Sequence, residues 1–477
     1  MPRPGPREIA IPWIDGDDSW RPEPVRTYSL TQYVGSFSLV LAFPEVLLSL
    51  YDAAIIGADP GVATSRAVSS LTLPPGRRIL LFAVGKAASP MAAAAVDVLL
   101  KSLHQIAGGA IVTPDADRSP YPTVAALRGD HPIPDRASFM AADKIGELSA
   151  GRRAADIAVV LVSGGASSLI AAPLRGHTEG DLTTLYRMLL GSGLDITAMN
   201  AVRKRFSRWG GGRLALALAP GATHCLAVSD VPGDDLSVIG SGPCTPDAST
   251  AAEASAIIES VGLTRHLASA HRDYLTAVTR GVAPETPKQQ HPAFAHVTSR
   301  VIATNRTAID GVANAAAKRG MNVEVIDSPL GGPAAAAGEA VARKLIAARA
   351  RKDGSPKCII WGGETTVSSA GSALGVTGGG RCQELALAAA RILGDAGESA
   401  AGIRLLAAGT DGRDGVTDAA GAIVDATTWS AIRDAGGDPG FALEHHESTG
   451  ALSIANALIP RRRTGTNVMD IAIGIVE

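Results

Sequence analysis

The chain is long, rich in apolar residues and almost neutral. Its 477 residues are 46% hydrophobic and 19% charged, which predicts more than one hydrophobic core and argues against extensive disorder. Lys and Arg total 44 and Asp and Glu total 46, so the sequence lacks the strong positive charge typical of nucleic-acid binding.

The N-terminal residues 1–45 are predicted to form an arm outside the folded domains. They mix prolines with an acidic cluster, which fits neither a secretory signal nor a transit peptide. The apolar stretch 36–50 is interrupted by Pro44 and Glu45 and is too short to span a bilayer. The four cysteines lie far apart without zinc-site spacing, which favours a reducing compartment. We therefore expect a cytoplasmic protein without a membrane partner.

Apolar runs alternate with helical stretches along the rest of the chain, which predicts successive βα units and a largely parallel sheet. The predicted strands include residues 79–84, 156–162, 224–229, 300–304, 358–361, 405–408 and 470–476. The prolines and polar residues of 282–294 are typical of a linker. The sequence thus predicts an α/β protein with two domains, residues 46–285 and 286–477, after the arm.

Nearly all the polar motifs follow the carboxyl end of a predicted strand. In open α/β sheets this edge forms the ligand-binding crevice, and helix N-termini there present free N–H groups to anions. For any single loop, glycines and aspartates that only make a turn are an equally good explanation. Taken together, the loops favour one shared cleft.

Small and basic residues in these loops are candidate phosphate contacts. The motif VSGGASSL predicts a strand-to-helix turn that holds an anion through Ser163, Gly164, Gly165, Ser167 and Ser168, although a tight turn alone explains it equally well. Lys86 follows a strand and is either a cation in the crevice or a solvated lysine. Asn200, Arg203 and Lys204 share one helix face, which either grips an anion or is a solvated basic face.

Acidic loops supply candidate magnesium ligands. Asp230 and Asp234 lie in the loop SDVPGDDLSVIGSGP, and Asp411 lies in the similar loop GTDGRDG. Mg²⁺ needs only one or two protein carboxylates when phosphates complete its shell, although acidic turn residues are common. Arg381 begins a helix after three glycines and is the second candidate cation, and Glu364 is either a site carboxylate or a turn residue.

Cations, carboxylates and glycine-rich turns together fit phosphoryl transfer, in which catalysis depends on positioning and charge neutralisation. The Walker, HRD and DFG strings are absent, as is the G-x-S-x-G elbow of acyl-transfer enzymes. Residue spacing alone therefore indicates an enzyme acting on a nucleotide or phosphate.

The ordered motifs AVGKAASPM, GDHPIPD, VSGGASSL, SDVPGDDLSVIGSGP, GGETTV, GGGRCQE, GTDGRDG and TGTNVMD resemble the glycerate 2-kinase family. The resemblance runs from about Leu48 to the C-terminus and includes a MOFRL-type C-terminal domain. It implies a Rossmann-like domain and a mixed-sheet domain that close over D-glycerate and Mg-ATP, with 2-phosphoglycerate as product.

The same resemblance implies roles for individual residues. Lys86 and Arg381 would stabilise the phosphoryl group, and Asp230 would accept the glycerate hydroxyl proton or help order the metal. The serine-rich turn with Asn200, Arg203 and Lys204 would contact phosphate or the substrate carboxylate. Three departures from the family pattern are Ala166 for glycine, Cys382 for asparagine and the basic run 461–463.

Two other functions compete with the kinase. An NAD(P)H-dependent hydroxypyruvate reductase requires a dinucleotide fingerprint, of which the sequence has no persuasive copy. A non-catalytic ligand-binding homologue is disfavoured because Lys86, Asp230 and Arg381 are present. A homo-oligomer is compatible with the sequence.

Overall fold

The structure is a computed structural model that describes residues 43–115, 118–351, 354–367 and 378–477. The predicted arm lies outside the described residues apart from residues 43–45, which begin the first helix. Twelve strands within the described ranges form two six-stranded sheets. The first sheet contains β1 (Arg78–Val84), β2 (Gln105–Thr113), β3 (Val124–Arg128), β4 (Ile157–Val162), β5 (Thr223–Val228) and β6 (Val297–Ala303). The second contains β7 (Asn322–Val325), β8 (Lys357–Gly363), β9 (Ile403–Gly409), β10 (Ala419–Asp425), β11 (Leu458–Pro460) and β12 (Asp470–Val476).

The first sheet is parallel throughout, with the strand order β3-β2-β1-β4-β5-β6. Its central strands are buried along almost their whole length, as expected for a sheet covered on both faces. Val84 at the end of β1 pairs with Val112 of β2 and Val162 of β4, so the three strands end at one level. The loops that follow these strands therefore meet at one edge.

The second sheet is mixed and has the order β11-β10-β9-β12-β8-β7. Only β7 and β8 form a parallel pair, and the other four pairings are antiparallel. This combination of a parallel sheet and a mixed sheet confirms the predicted fold class. The predicted strands were found, whereas β2, β3, β7, β10 and β11 were not anticipated.

Sixteen α-helices of the described residues cover the two sheets. Those in the first half are α1 (Phe43–Gly57), α2 (Pro60–Ser69), α3 (Ala88–Lys101), α4 (Arg136–Ala150), α5 (Ala166–Leu169), α6 (Glu179–Leu190), α7 (Ile196–Phe206) and α8 (Arg213–Leu218). The others are α9 (Ala251–Ser260), α10 (Ser269–Thr279), α11 (Asn305–Lys318), α12 (Ala334–Ala350), α13 (Arg381–Ala396), α14 (Thr428–Asp434), α15 (Pro439–Glu444) and α16 (Ser448–Ile454).

The segment 44–69 is long and apolar enough to cross a membrane by length and composition alone. In the structure it is two helices, because the Asp59 carboxylate accepts a hydrogen bond from Val62 N and begins α2. Leu47, Leu50 and Tyr51 of α1 are fully buried in the largest core cluster. The apolar face of α1 is therefore part of the protein core.

Helix α1 also packs closely against α11. A β carbon on Gly57 would lie 2.5 Å from the carbonyl oxygen of Thr307, and one on Gly311 would lie 2.3 Å from that of Ala53. The two glycines thus allow a backbone contact that alanine would prevent. The largest core cluster includes residues of α1 and α11 and of both sheets, so one apolar core connects the two sheets.

The predicted linker region is anchored by hydrogen bonds. Glu285 pairs with Arg205, and the Thr286 hydroxyl donates to Asp247 at 2.9 Å. Strand β6 begins at Val297, beyond the predicted boundary between residues 285 and 286, and still belongs to the first sheet. The domain boundary itself stays a prediction.

Candidate active site

A cavity of about 520 Å³ lies where loops of the two sheets meet. Loops that leave the carboxyl ends of β1, β4, β5 and β8 contribute to it, together with α7 and the first residue of α13. Nine of the predicted site residues line this cavity: Lys86, Gly165, Ser167, Ser168, Asn200, Arg203, Asp230, Glu364 and Arg381. The structure thus brings together the three residues predicted to be catalytic.

Lys86 extends from the turn between β1 and α3 into the cavity. Its backbone N–H donates to the carbonyl of Gly164 at 2.9 Å, which joins this turn to the one after β4. Its side chain is exposed, and no carboxylate among the described residues lies within ion-pair distance of its ammonium. The ammonium is therefore available to an anionic ligand.

The turn after β4 shapes the cavity through its backbone. Gly165 has φ +85°, a conformation that glycine adopts without strain, and it lines the cavity. A β carbon on Gly164 would lie 1.8 Å from Oδ2 of Asp230, so only glycine allows the carboxylate to pack there. Ser163 is buried, and its hydroxyl accepts a hydrogen bond from Ala87 N at 3.0 Å. Ser163 and Gly164 thus support Lys86 and Asp230 from behind the cavity wall.

The two serines of this turn have different partners. The Ser167 and Ser241 hydroxyls lie 2.6 Å apart, and the Ser168 hydroxyl donates to the Pro132 carbonyl at 2.8 Å. Ala166, which follows Gly165 and precedes the two serines, is fully buried in the core of the first sheet. Its methyl group, a departure from the family pattern, therefore points away from any ligand.

Asp230 follows β5, and neighbouring groups compensate the charge of its buried carboxylate only in part. Burial raises the pKa of its carboxyl group, and the nearby charge of Lys86 opposes that rise. Asn467 Nδ2 lies 3.4 Å from Asp230 Oδ2. Burial also raises the pKa of Asp411, again opposed by Lys86. Asp411 does not line the cavity, but it interacts electrostatically with Lys86 and Asp230 and so lies near them.

Arg381 is held by two carboxylates. Its Nε–H and Nη2–H donate to the two oxygens of Asp470 at 2.5 and 2.9 Å, and Nη1 lies 2.7 Å from Oε1 of Glu364. Burial disfavours its charge, but Asp470 and Glu364 outweigh that effect and raise its pKa. Burial raises the pKa of Glu364 despite the charge of Arg381. This wall of the cavity has its charges already paired.

The N-terminus of α13 is occupied by a protein carboxylate. Asp414 accepts hydrogen bonds from the backbone N–H groups of Cys382 and Gln383 at 3.1 and 2.8 Å. A carboxylate at this position complements the helix dipole. A bound phosphate is therefore not needed to satisfy those N–H groups. Burial and the charge of Asp470 raise the pKa of Asp414 to about 6. The Cys382 thiol is buried beneath this wall, and burial raises its pKa.

Helix α7 contributes two of its three predicted residues to the cavity. The Asn200 amide donates to the Val238 carbonyl at 3.0 Å and accepts from the Ser241 hydroxyl at 3.2 Å. Arg203 is buried and faces the cavity. Lys204 does not line it, because its ammonium lies 3.4 Å from Asp247 Oδ1 in a buried ion pair.

Asp234, a predicted metal ligand, is half-buried on a turn, has φ +54° and does not line the cavity. Four other residues at or behind the cavity were assigned no role from the sequence: His131, Ser241, Asn467 and Asp470. His131, Asn467 and Asp470 lie in the motifs GDHPIPD and TGTNVMD, whose order along the chain was the available signal.

Comparisons with known proteins agree with this architecture. A family model described as a domain of unknown function, DUF4147, matches residues 46–276, and the MOFRL family model matches residues 357–470. D-glycerate 2-kinase of Thermotoga maritima is 37% identical over 402 residues, which cover 84% of this chain and 91% of the relative. The crystal structure of a glycerate kinase from the same organism superposes with a TM-score of 0.78, at 34% identity, and covers 91% of this chain and 99% of that one. This chain belongs to the glycerate kinase family.

One relative of this member of the glycerate kinase family is named as a different kind of enzyme. A protein of Agrobacterium vitis called putative hydroxypyruvate reductase is 37% identical over 429 residues, covering 90% of this chain and 93% of the relative. The first sheet has the strand order of dinucleotide-binding folds, but its first loop reads Gly85-Lys86-Ala87-Ala88 and lacks the glycine fingerprint. The family membership therefore indicates a phosphotransferase.

Proposed function

We propose that this protein transfers the γ-phosphoryl group of ATP to D-glycerate and forms 2-phosphoglycerate. The observation that supports this most strongly is the cavity in which Lys86, Asp230 and Arg381 meet, in a chain similar to a D-glycerate 2-kinase along most of its length. Phosphoryl transfer requires positioning and cations rather than a covalent nucleophile, and this cavity supplies both.

Three side chains carry the proposed chemistry. Lys86 has no ion-pair partner in the described residues, so its ammonium is free to neutralise the charge of the transferred group. Arg381 directs its guanidinium to the same cavity from a fixed position on Asp470 and Glu364. Asp230 accepts the proton of the attacking glycerate hydroxyl, and its raised pKa makes it a stronger base than an exposed aspartate.

The carboxylates of the site fit a magnesium ion brought by the nucleotide. No three His, Cys, Asp or Glu side chains in the described part of the chain cluster closely enough to hold a metal alone. Mg²⁺ bound to nucleotide phosphates needs only one or two carboxylates, and Asp411, whose pKa is also raised, would gain from a cation without weakening Asp230 as the base. When bound, the ion would neutralise phosphate charge. Asp234 is the weaker candidate ligand because it does not line the cavity.

Phosphorus NMR tests the proposal directly. Purified protein incubated with D-glycerate, ATP and Mg²⁺ should yield the resonance of 2-phosphoglycerate. A 3-phosphoglycerate resonance would retain the kinase and overturn the position of attack. Folded protein that transfers no phosphoryl group but oxidises NADH or NADPH with hydroxypyruvate would replace the kinase by a reductase.

A further inference from the structure

Arg203 is a buried cation that has no carboxylate partner in the part of the chain that the structure describes. Only 5% of the residue is exposed, and it lines the cavity. Among the described residues, its Nε–H has no hydrogen-bond acceptor, and its Nη2 has only the sulfur of Met199 at 4.0 Å. A buried charge without a partner is costly to a fold, so its presence in a cavity points to an anionic ligand.

An aromatic ring fixes the direction of this guanidinium. The Arg203 Cζ atom lies 4.5 Å from the centre of the Tyr186 ring, and Tyr186 is fully buried on α6. The Tyr186 hydroxyl donates to the Ser167 carbonyl at 3.1 Å, which ties the ring to the turn after β4. Stacking restricts a guanidinium without satisfying its N–H donors. Those donors remain available to the cavity.

The side chains that share this part of the cavity are uncharged. Asn200 and Ser167 are neutral, and burial together with the charges of Lys86 and Arg203 lowers the pKa of His131 to about 4. His131 is therefore a neutral imidazole near pH 7. The carboxylates Asp230 and Glu364 follow β5 and β8 instead. Lys86 acts electrostatically on His131, Asp230 and Glu364, so its ammonium lies near both groups.

This arrangement separates two kinds of anion. A metal-bound polyphosphate suits the carboxylates, because the metal ion needs acidic ligands. A free carboxylate would be repelled there and attracted by Arg203, whose planar fork matches two carboxylate oxygens. We propose that Arg203 binds the carboxylate of the hydroxy-acid substrate and makes the cavity selective for acids over uncharged polyols. This inference rests on the proposed function, because it assigns the acceptor end of the same cavity.

Kinetics with two acceptors test the assignment. The variants are Arg203→Met, which keeps the apolar stem, and Arg203→Lys, which keeps the charge without the fork. Arg208→Met is the matched control, since Arg208 also stacks at 4.5 Å on an aromatic ring, Trp209, but lies outside the cavity. Each protein is assayed with ATP and either D-glycerate or its neutral amide, glyceramide.

For R203M we expect kcat/KM for D-glycerate to fall about 100-fold, since a buried charge-assisted pair is lost, while KM for ATP changes less than about twofold. The preference for D-glycerate over glyceramide should disappear in R203M, persist weakly in R203K and remain intact in R208M. An increase in KM for ATP with D-glycerate unaffected would instead assign Arg203 to the nucleotide. Retained acid preference in R203M would overturn the proposal.

Calorimetric titration of D-glycerate without ATP separates this inference from the proposed function. Wild-type protein should bind the acid at least about tenfold more tightly than R203M does, whether or not phosphoryl transfer follows. If the wild type binds D-glycerate through Arg203 but transfers no phosphoryl group, the kinase proposal fails alone. Equal affinity of the two proteins for D-glycerate, or no binding by the wild type, would reject the carboxylate subsite. Thermal melting confirms that each variant is folded.

Discussion

The two walls of the cavity hold their charged groups in different ways. On the wall built by the first sheet, Lys86 and Arg203 have no carboxylate partners in the described residues, and glycines bring the backbone close. On the wall built by the second sheet, Arg381 and Asp470 form a bidentate pair with Glu364 beside it. The first wall presents free cations to a ligand, whereas the second is a preassembled charge network. Removal of a charged side chain from the first wall should therefore reduce activity without reducing stability. Removal of one from the second wall should reduce both.

The largest loss of activity is expected when the Lys86 ammonium is removed from the first wall. Lys86→Met should lower kcat/KM by about 100- to 1,000-fold, the effect expected when one preorganised charge at a transition state is lost. The melting temperature should stay near that of the wild type, because Lys86 is exposed and forms no ion pair with another described residue. Enzyme assay and thermal melting measure the two effects. Lys101→Met is the matched control, since Lys101 is an exposed lysine paired with Asp97 on α3. Wild-type turnover by K86M would refute the role of Lys86.

An added methyl group should displace Asp230 on the same wall. In Gly164→Ala the new β carbon would collide with Oδ2 of Asp230, and a misplacement of about 1 Å in a reacting group costs about 100-fold in rate. We expect kcat to fall by about that factor. Gly450→Ala, on α16 with open space around the position, is the control and should leave the rate unchanged. Equal rates for the two variants would show that Asp230 is not held by Gly164.

Substitution of Asp470, the partner of Arg381, tests the second wall. Asp470→Asn keeps the shape and removes the charge, so Arg381 loses its bidentate partner. We expect about a tenfold loss of kcat/KM and about 2 kcal/mol loss in the free energy of unfolding, because a largely buried charge pair is broken. Urea denaturation measures the second effect. Asp97→Asn, which breaks the exposed pair with Lys101, should cost less than about 0.5 kcal/mol. A stability loss no larger in D470N than in D97N would contradict the preassembled network.

The last prediction concerns the dependence of stability on the protonation of Asp414. Burial and the charge of Asp470 raise its folded-state pKa from 3.8 to about 6, so between these values the folded state binds more protons than the unfolded state. Rising pH therefore removes stability through about pH 4 to 6, by an amount of order 1 to 3 kcal/mol, and the contribution is constant above that range. Denaturation at several pH values should show a shallower decline in Asp414→Asn than in the wild type. Identical slopes would exclude Asp414 as the source.

The sequence predicted the first wall better than the second, for a physical reason. Parallel strands buried on both faces give continuous apolar runs, and the residues that follow them meet at one sheet edge, so Lys86 and Asp230 could be located from the pattern. Pairing between distant residues leaves no such local signal. Asp470, the partner of Arg381, lies 89 residues away along the chain. Lys204 pairs with Asp247, 43 residues away, although it lies on the same helix as Arg203. Which of two adjacent cations faces the cavity depends on partners that only the folded chain reveals.

The position of α1 has a consequence for dissecting the chain. The Tyr51 hydroxyl donates to the carbonyl of Gly409 at 2.5 Å, and the Thr466 hydroxyl donates to the carbonyl of Ala58 at 2.7 Å. Gly409 ends β9 just before Asp411, and Thr466 precedes Asn467, which contacts Asp230. Helix α1 and the residue that follows it thus support two loops that lie more than 350 residues later. A fragment that begins after α1 would lack this support, so the MOFRL segment produced alone should not retain the geometry of its loops, and affinity tags belong ahead of Phe43 rather than in place of α1.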